Sequence, residues 1–151
     1  MQRRDLFLLG GLLALAAGFA LYARAPARSA AAAFDGEPAV IAATFNAQWC
    51  TSCKILKPRL LGILPEFSGR PVKFVEYDLT FGDRPALRGA AEADGVASIY
   101  DRFSSATGYT LLVEARTGDV VDMLTINHSR AEMRNRIEAA LARAAKAGNS
   151  S

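Results

Sequence analysis

The chain is expected to fold as an α/β domain with a mixed central sheet and helices on both faces. Three observations lead there. Two short apolar runs containing β-branched residues each precede a stretch with helical or helix-start signals, a hairpin signature occupies the second half, and an amphipathic helix with its own cap closes the chain. The order is strand, helix, strand, helix, hairpin, helix, with no internal repeat.

Val40-Ile41-Ala42-Ala43-Thr44-Phe45 is long enough for a strand buried on both faces and short for a helix. From Cys53 the pattern changes to helical spacing, with Ile55, Leu56, Leu60, Leu61 and Leu64 apolar and Lys54, Lys57 and Arg59 polar. Pro65 closes this helix and Pro58 is expected to kink it. Val72 to Asp78 follows the breakers Gly69 and Pro71 and reads as a second strand. Asp83 and Pro85 signal a helix start, and Gly95 its end. Ala97 to Thr107 fits no element and reads as a loop or a short extra turn. Tyr109–Ala115 and Val120–Leu124 flank Thr117-Gly118-Asp119 as an antiparallel hairpin. Ser129 and Glu132 have capping-box spacing, and behind them Met133, Ile137, Leu141 and Ala144 mark one face of a terminal helix that fades at Gly148.

Residues 1–33 read as a targeting segment. Arg3 and Arg4 lead into an uncharged run from Leu6 to Ala23, followed by Arg24, Pro26, Arg28 and a small-residue stretch suited to signal-peptidase cleavage. At 18 residues the run also reaches the lower end of the roughly 17–25 residues that span a bilayer. Cleaved signal and retained membrane anchor therefore both stand, as do general and twin-arginine export. The expected organisation is a leader or anchor over 1–33, one domain over 34–148 and a tail over 149–151, the domain lying in the periplasm or otherwise outside the cytoplasm.

The excess positive charge lies in that leader. From Phe34 onward the chain carries 14 Lys and Arg against 14 Asp and Glu, so no electrostatic footprint for nucleic acid remains. No phosphate-binding glycine loop, nucleophile elbow or paired acidic motif is present, and no cofactor is expected. A monomer is expected, touching the membrane only through the N-terminal segment.

The chain has two cysteines, three positions apart. A structural disulfide in an exported protein more often joins residues distant in sequence, so an adjacent pair points to chemistry. Cys50 falls between a buried strand and the first turn of a helix, where unpaired backbone N–H groups favour a thiolate. Cysteines at such positions have pKa values lowered to about 3.5–7.5 from about 8.5. Cys50 is the expected exposed nucleophile. Cys53, one turn inward, is placed to resolve a mixed disulfide with a protein thiol or disulfide substrate, and a separate electron-exchange partner would reset the pair.

The run Thr44-Phe45-Asn46-Ala47-Gln48-Trp49-Cys50-Thr51-Ser52-Cys53-Lys54, with Pro58 five residues beyond the second cysteine, resembles the thioredoxin family. The resemblance implies a thioredoxin-like three-layer fold over roughly Phe34 to Ala147, with Trp49 beside the active site. Three departures limit what it carries. Thr44 stands where many thioredoxins have a buried Asp that moves protons. Thr51-Ser52 replaces the usual Gly-Pro between the cysteines, which leaves the direction of electron flow open. Gly108-Tyr109-Thr110 stands where a cis-proline usually faces the dithiol, so Gly108 and Tyr109 join Trp49 as the expected substrate-contacting residues, with Tyr109 equally readable as a strand aromatic.

Two other classes remain at this point. A thioredoxin-fold protein handling Cu(I) would use Cys50, Cys53 and His128, whereas structural zinc would lack its fourth ligand. A binding module with a merely structural disulfide is the other.

Overall fold

A computed structural model describes residue 34 and residues 36–149. The expected leader or anchor over 1–33 lies outside the described residues.

Strand β1 (Val40–Asn46) is buried along its whole length, as a continuous apolar run at the centre of a sheet must be. It pairs in parallel with β2 (Val72–Asp78), Val40 opposite Val72 and Asn46 opposite Asp78. On its other side it pairs antiparallel with β3 (Tyr109–Glu114), which pairs antiparallel with β4 (Val120–Thr125). The order β2-β1-β3-β4 makes the mixed sheet that the hairpin implied.

Helix α1 (Thr51–Leu61) connects β1 to the 3-10 turn Leu64–Phe67 and β2. Helices α2 (Arg84–Ala93) and α3 (Ala97–Phe103) connect β2 to β3, and α4 (Arg130–Gly148) ends the domain. Alternation along β1 sorts these helices into two layers. Val40 and Ala42 join Leu56, Leu60, Met133, Ile137 and Leu141 in a core under α1 and α4. Ile41, Ala43 and Phe45 join Ala91, Ile99 and Tyr100 in a core under α2 and α3.

Most expected boundaries are met within one or two residues. Asp83 caps α2 by accepting from the Ala86 N–H, and Ser129 and Glu132 complete a capping box on α4. The segment from Ala97 differs from expectation. It forms α3, whose cap Val96 provides no side-chain hydrogen bond, and what holds it is burial of Ile99 and Tyr100 against the sheet. The helix expected from Cys53 begins two residues earlier, at Thr51, and runs past Pro58 to Leu61 before the chain tightens into the 3-10 turn. Asn149, assigned to the tail, caps α4.

Candidate active site

The cysteines lie where β1 hands over to α1. The turn from Ala47 to Cys50 closes with the Cys50 N–H on the Ala47 carbonyl, and Cys50 is the N-cap of α1. Its Sγ accepts from the Cys53 N–H at 3.1 Å, one of the four amides that a helix start leaves without an intrahelical partner. The two cysteines are joined as a disulfide with their Cα atoms 5.3 Å apart. Cys50 is 7% exposed and Cys53 4%, so Cys50 is far less exposed than expected. Accessibility alone does not distinguish the two sulfurs; the backbone N–H at the helix start does.

Trp49 stands beside the bridge and is 65% exposed. Gly108 packs against the dithiol. A Cβ on Gly108 would sit 2.8 Å from Ser52 Cβ and 3.4 Å from Cys50 Sγ, and its φ of +97° is a conformation that other residues rarely adopt. Its N–H donates to the Phe45 carbonyl at 2.9 Å, which pins the loop to the end of β1. That carbonyl is also 3.9 Å from Cys53 Sγ. The disulfide sulfur carries no hydrogen, so this contact becomes a hydrogen bond only in the reduced dithiol. No cis peptide bond occurs among the described residues. The residue that faces the dithiol from just before β3 is thus a glycine with a positive φ.

Tyr109 turns its ring to the other face of the sheet, 5.4 Å from the Phe45 ring, with its hydroxyl donating to the Phe103 carbonyl. Burial raises its phenol pKa. The side chain is committed to the scaffold, and what Tyr109 leaves near the dithiol is backbone. His128 is held elsewhere. Its Nδ1 accepts from the Thr125 N–H, and its carbonyl accepts from Arg59, six residues along α1 beyond Cys53. Among the described residues no group of three His, Cys, Asp or Glu side chains is arranged to hold a metal, so the Cys50–Cys53–His128 set is not assembled.

Several neighbours carry no local signal in the sequence. Under α1, Thr44 Oγ1 and Thr110 Oγ1 share a buried hydrogen bond of 2.8 Å between opposite positions of β1 and β3. A groove of about 430 Å³ runs beside Cys53, lined by Asn46, Gln48, Lys54, Lys57, Pro58 and Leu61 among others. On the rim, the loop after β2 is tied down by Leu79 N–H to the Asn46 carbonyl and by Gln48 N–H to Thr80 Oγ1. That loop presents Phe81, 89% exposed, on the same end of the sheet as Trp49.

The topology and the dithiol position now stand together: a four-stranded sheet ordered β2-β1-β3-β4, two helical layers, and a Cys-x-x-Cys pair capping the helix after the central strand. The fold is thioredoxin-like. No protein-family model matches the chain, and no curated protein matches it in sequence. Among solved structures it is similar to a thioredoxin from Trypanosoma brucei brucei, at 21% identity over 68% of this chain and 78% of that one, with a TM-score of 0.41. It is also similar to StoA from Bacillus subtilis, at 12% identity over 67% and 84% of the two chains, with a TM-score of 0.46. Within the thioredoxin-like domain, the buried bridge and Gly108 lie together at the end of the sheet where β1 gives way to α1, with the exposed Trp49 next to Cys50 in the chain.

Proposed function

We propose that the chain is a thiol–disulfide oxidoreductase of the bacterial cell envelope, acting on protein thiols or disulfides through Cys50 and Cys53. The observation that carries this reading is the helix cap: Cys50 Sγ receives a backbone N–H from the first turn of α1 and bridges to the next cysteine along it. The same hydrogen bond favours a Cys50 thiolate when the bridge is open.

The exchange balances as two substitutions at sulfur. In the reduced protein the Cys50 thiolate attacks one sulfur of a partner disulfide, forming the Cys50–partner bond and expelling the other partner sulfur as a thiolate. Cys53 then gives up its proton and attacks Cys50 Sγ, which forms the intramolecular bridge and releases the second partner thiolate. Two electrons pass to the partner, and the reverse sequence oxidises a partner dithiol. Export by the N-terminal segment, as a cleaved signal or an anchor, would place a monomeric domain where disulfides persist. Trp49, exposed beside the bridge, offers a partner an apolar edge.

The test is trapping with a disulfide-bonded protein substrate. The Cys53→Ser variant is expected to accumulate a mixed disulfide through Cys50, and Cys50→Ser to accumulate none and lose turnover. A mixed disulfide trapped through Cys53, or full turnover by Cys50→Ser, overturns the assignment.

A further inference from the structure

The resolving step requires Cys53 to lose a proton inside a nearly closed site, and Phe45, Thr44 and Thr110 around it offer only a carbonyl and two hydroxyls that are already bonded to each other. One carboxylate on the same face of the sheet is bonded to two residues of the Cys53 groove. Glu76 lies on β2 opposite Thr44 in register, and its Oε1 accepts from Asn46 Nδ2 at 2.8 Å and from Lys57 Nζ at 2.7 Å. Both residues that hold it line the groove beside Cys53. Glu76 itself is three-quarters buried at the side chain. The groups facing it are Thr44 and Asn46 from β1 and Lys57 from α1, and β2 is an edge strand of the sheet among the described residues.

Resting on the oxidoreductase reading, we propose that Glu76, positioned by Asn46 and Lys57, takes the proton of Cys53 through water in the groove as Cys53 attacks the mixed disulfide. The proton moves from Cys53 Sγ to the carboxylate, the S–S bond to Cys50 forms, and the bond to the partner sulfur breaks. The departing partner thiolate, or solvent, then takes the proton from Glu76. In the opposite direction Glu76 returns a proton to Cys53 as the bridge opens. Lys57 and Asn46 both bond Oε1 and fix the carboxylate in place, so the group is a positioned acid–base and not a free surface side chain.

The probe is 5,5′-dithiobis(2-nitrobenzoate) mixed with the fully reduced protein and followed by stopped-flow absorbance. Attack by Cys50 releases the first thionitrobenzoate, and resolution by Cys53 releases the second. Glu76→Gln preserves an oxygen that accepts from Asn46 and Lys57 but removes the base. It is expected to leave the first phase within about twofold and to slow the second by about tenfold or more at neutral pH, the deficit closing as rising pH lets hydroxide take the proton. An unchanged second phase, or equal slowing of both, overturns the proposal. Glu76→Asp keeps the acid one methylene further back and is expected to fall between the two in the second phase only; a rate as low as that of the glutamine variant overturns it, and this variant serves if Glu76→Gln does not fold. A wild-type protein that releases only one thionitrobenzoate would sink the oxidoreductase reading as well, which distinguishes that failure from failure of the Glu76 assignment alone.

Discussion

On the α2/α3 face of the sheet, the rings of Phe45, Tyr77, Tyr100 and Tyr109 meet at centroid distances of 5.4 to 6.3 Å, and each is packed into an apolar core. On the α1/α4 face, the same strands end in Thr44, Asn46, Glu76 and Thr110, hydrogen-bonded to one another or to Lys57 beneath the dithiol. Adjacent residues of one strand, Thr44 and Phe45, therefore serve opposite ends. The aromatic face contributes rigidity by burying large rings, while the polar face gives up apolar burial to hold hydroxyl, amide and carboxylate groups on the side of the sheet that α1 covers. Phe45 joins the two, since its ring anchors the aromatic cluster while its carbonyl faces Gly108 and Cys53.

Truncating that link has the largest expected effect on stability. Phe45→Ala removes a fully buried ring and three aromatic contacts, at an expected cost of about 3–5 kcal/mol in urea unfolding. A loss below about 1 kcal/mol would show that the aromatic face is not the scaffold described.

The polar face is tested by a pair of substitutions. Thr44→Val alone strands the Thr110 hydroxyl, which is fully buried, and is expected to cost about 1–3 kcal/mol. Thr44→Val with Thr110→Val removes both partners and is expected to recover most of that. Additive losses in the double variant would mean that the two hydroxyls are not a closed pair.

The smallest effect concerns Tyr77, whose hydroxyl donates to Asp94 on the aromatic face at 3.0 Å. Burial first, and then the Asp94 charge, hold its phenol pKa well above the ordinary value. The folded protein thus keeps a proton that the unfolded chain releases near pH 10, so the contribution is fully present below about pH 10 and is lost as pH rises beyond it. Tyr77→Phe is expected to cost about 1 kcal/mol at neutral pH and to flatten the decline of stability above about pH 10. An unchanged alkaline slope contradicts the stated cause.

Much of this was legible in the sequence, and the limits have physical reasons. Strands β1 and β2, the Asp83 cap, the Ser129 and Glu132 box and the placement of Cys50 at a helix start are local patterns, and the chain folds as they indicate. Helix α3 was not legible because Val96 is no capping residue and seven residues show too little periodicity; tertiary burial of Ile99 and Tyr100 makes it. Trp49 and Gly108 were legible through resemblance, but the side-chain direction of Tyr109 depends on its register opposite Phe45. The Asn46–Glu76–Lys57 cluster joins three elements across 30 residues of chain, and no local signal announces such a meeting. The low exposure of Cys50 was likewise not legible, because Gly108 packs against it from a loop 58 positions later.

The helix start, and not exposure, sets Cys50 apart from Cys53. Limited alkylation of the fully reduced protein with iodoacetamide at mildly acidic pH, read by peptide mass analysis, tests it directly. The label is expected first on Cys50, with Cys53 modified only after long exposure. Equal labelling, or labelling of Cys53 first, would contradict it.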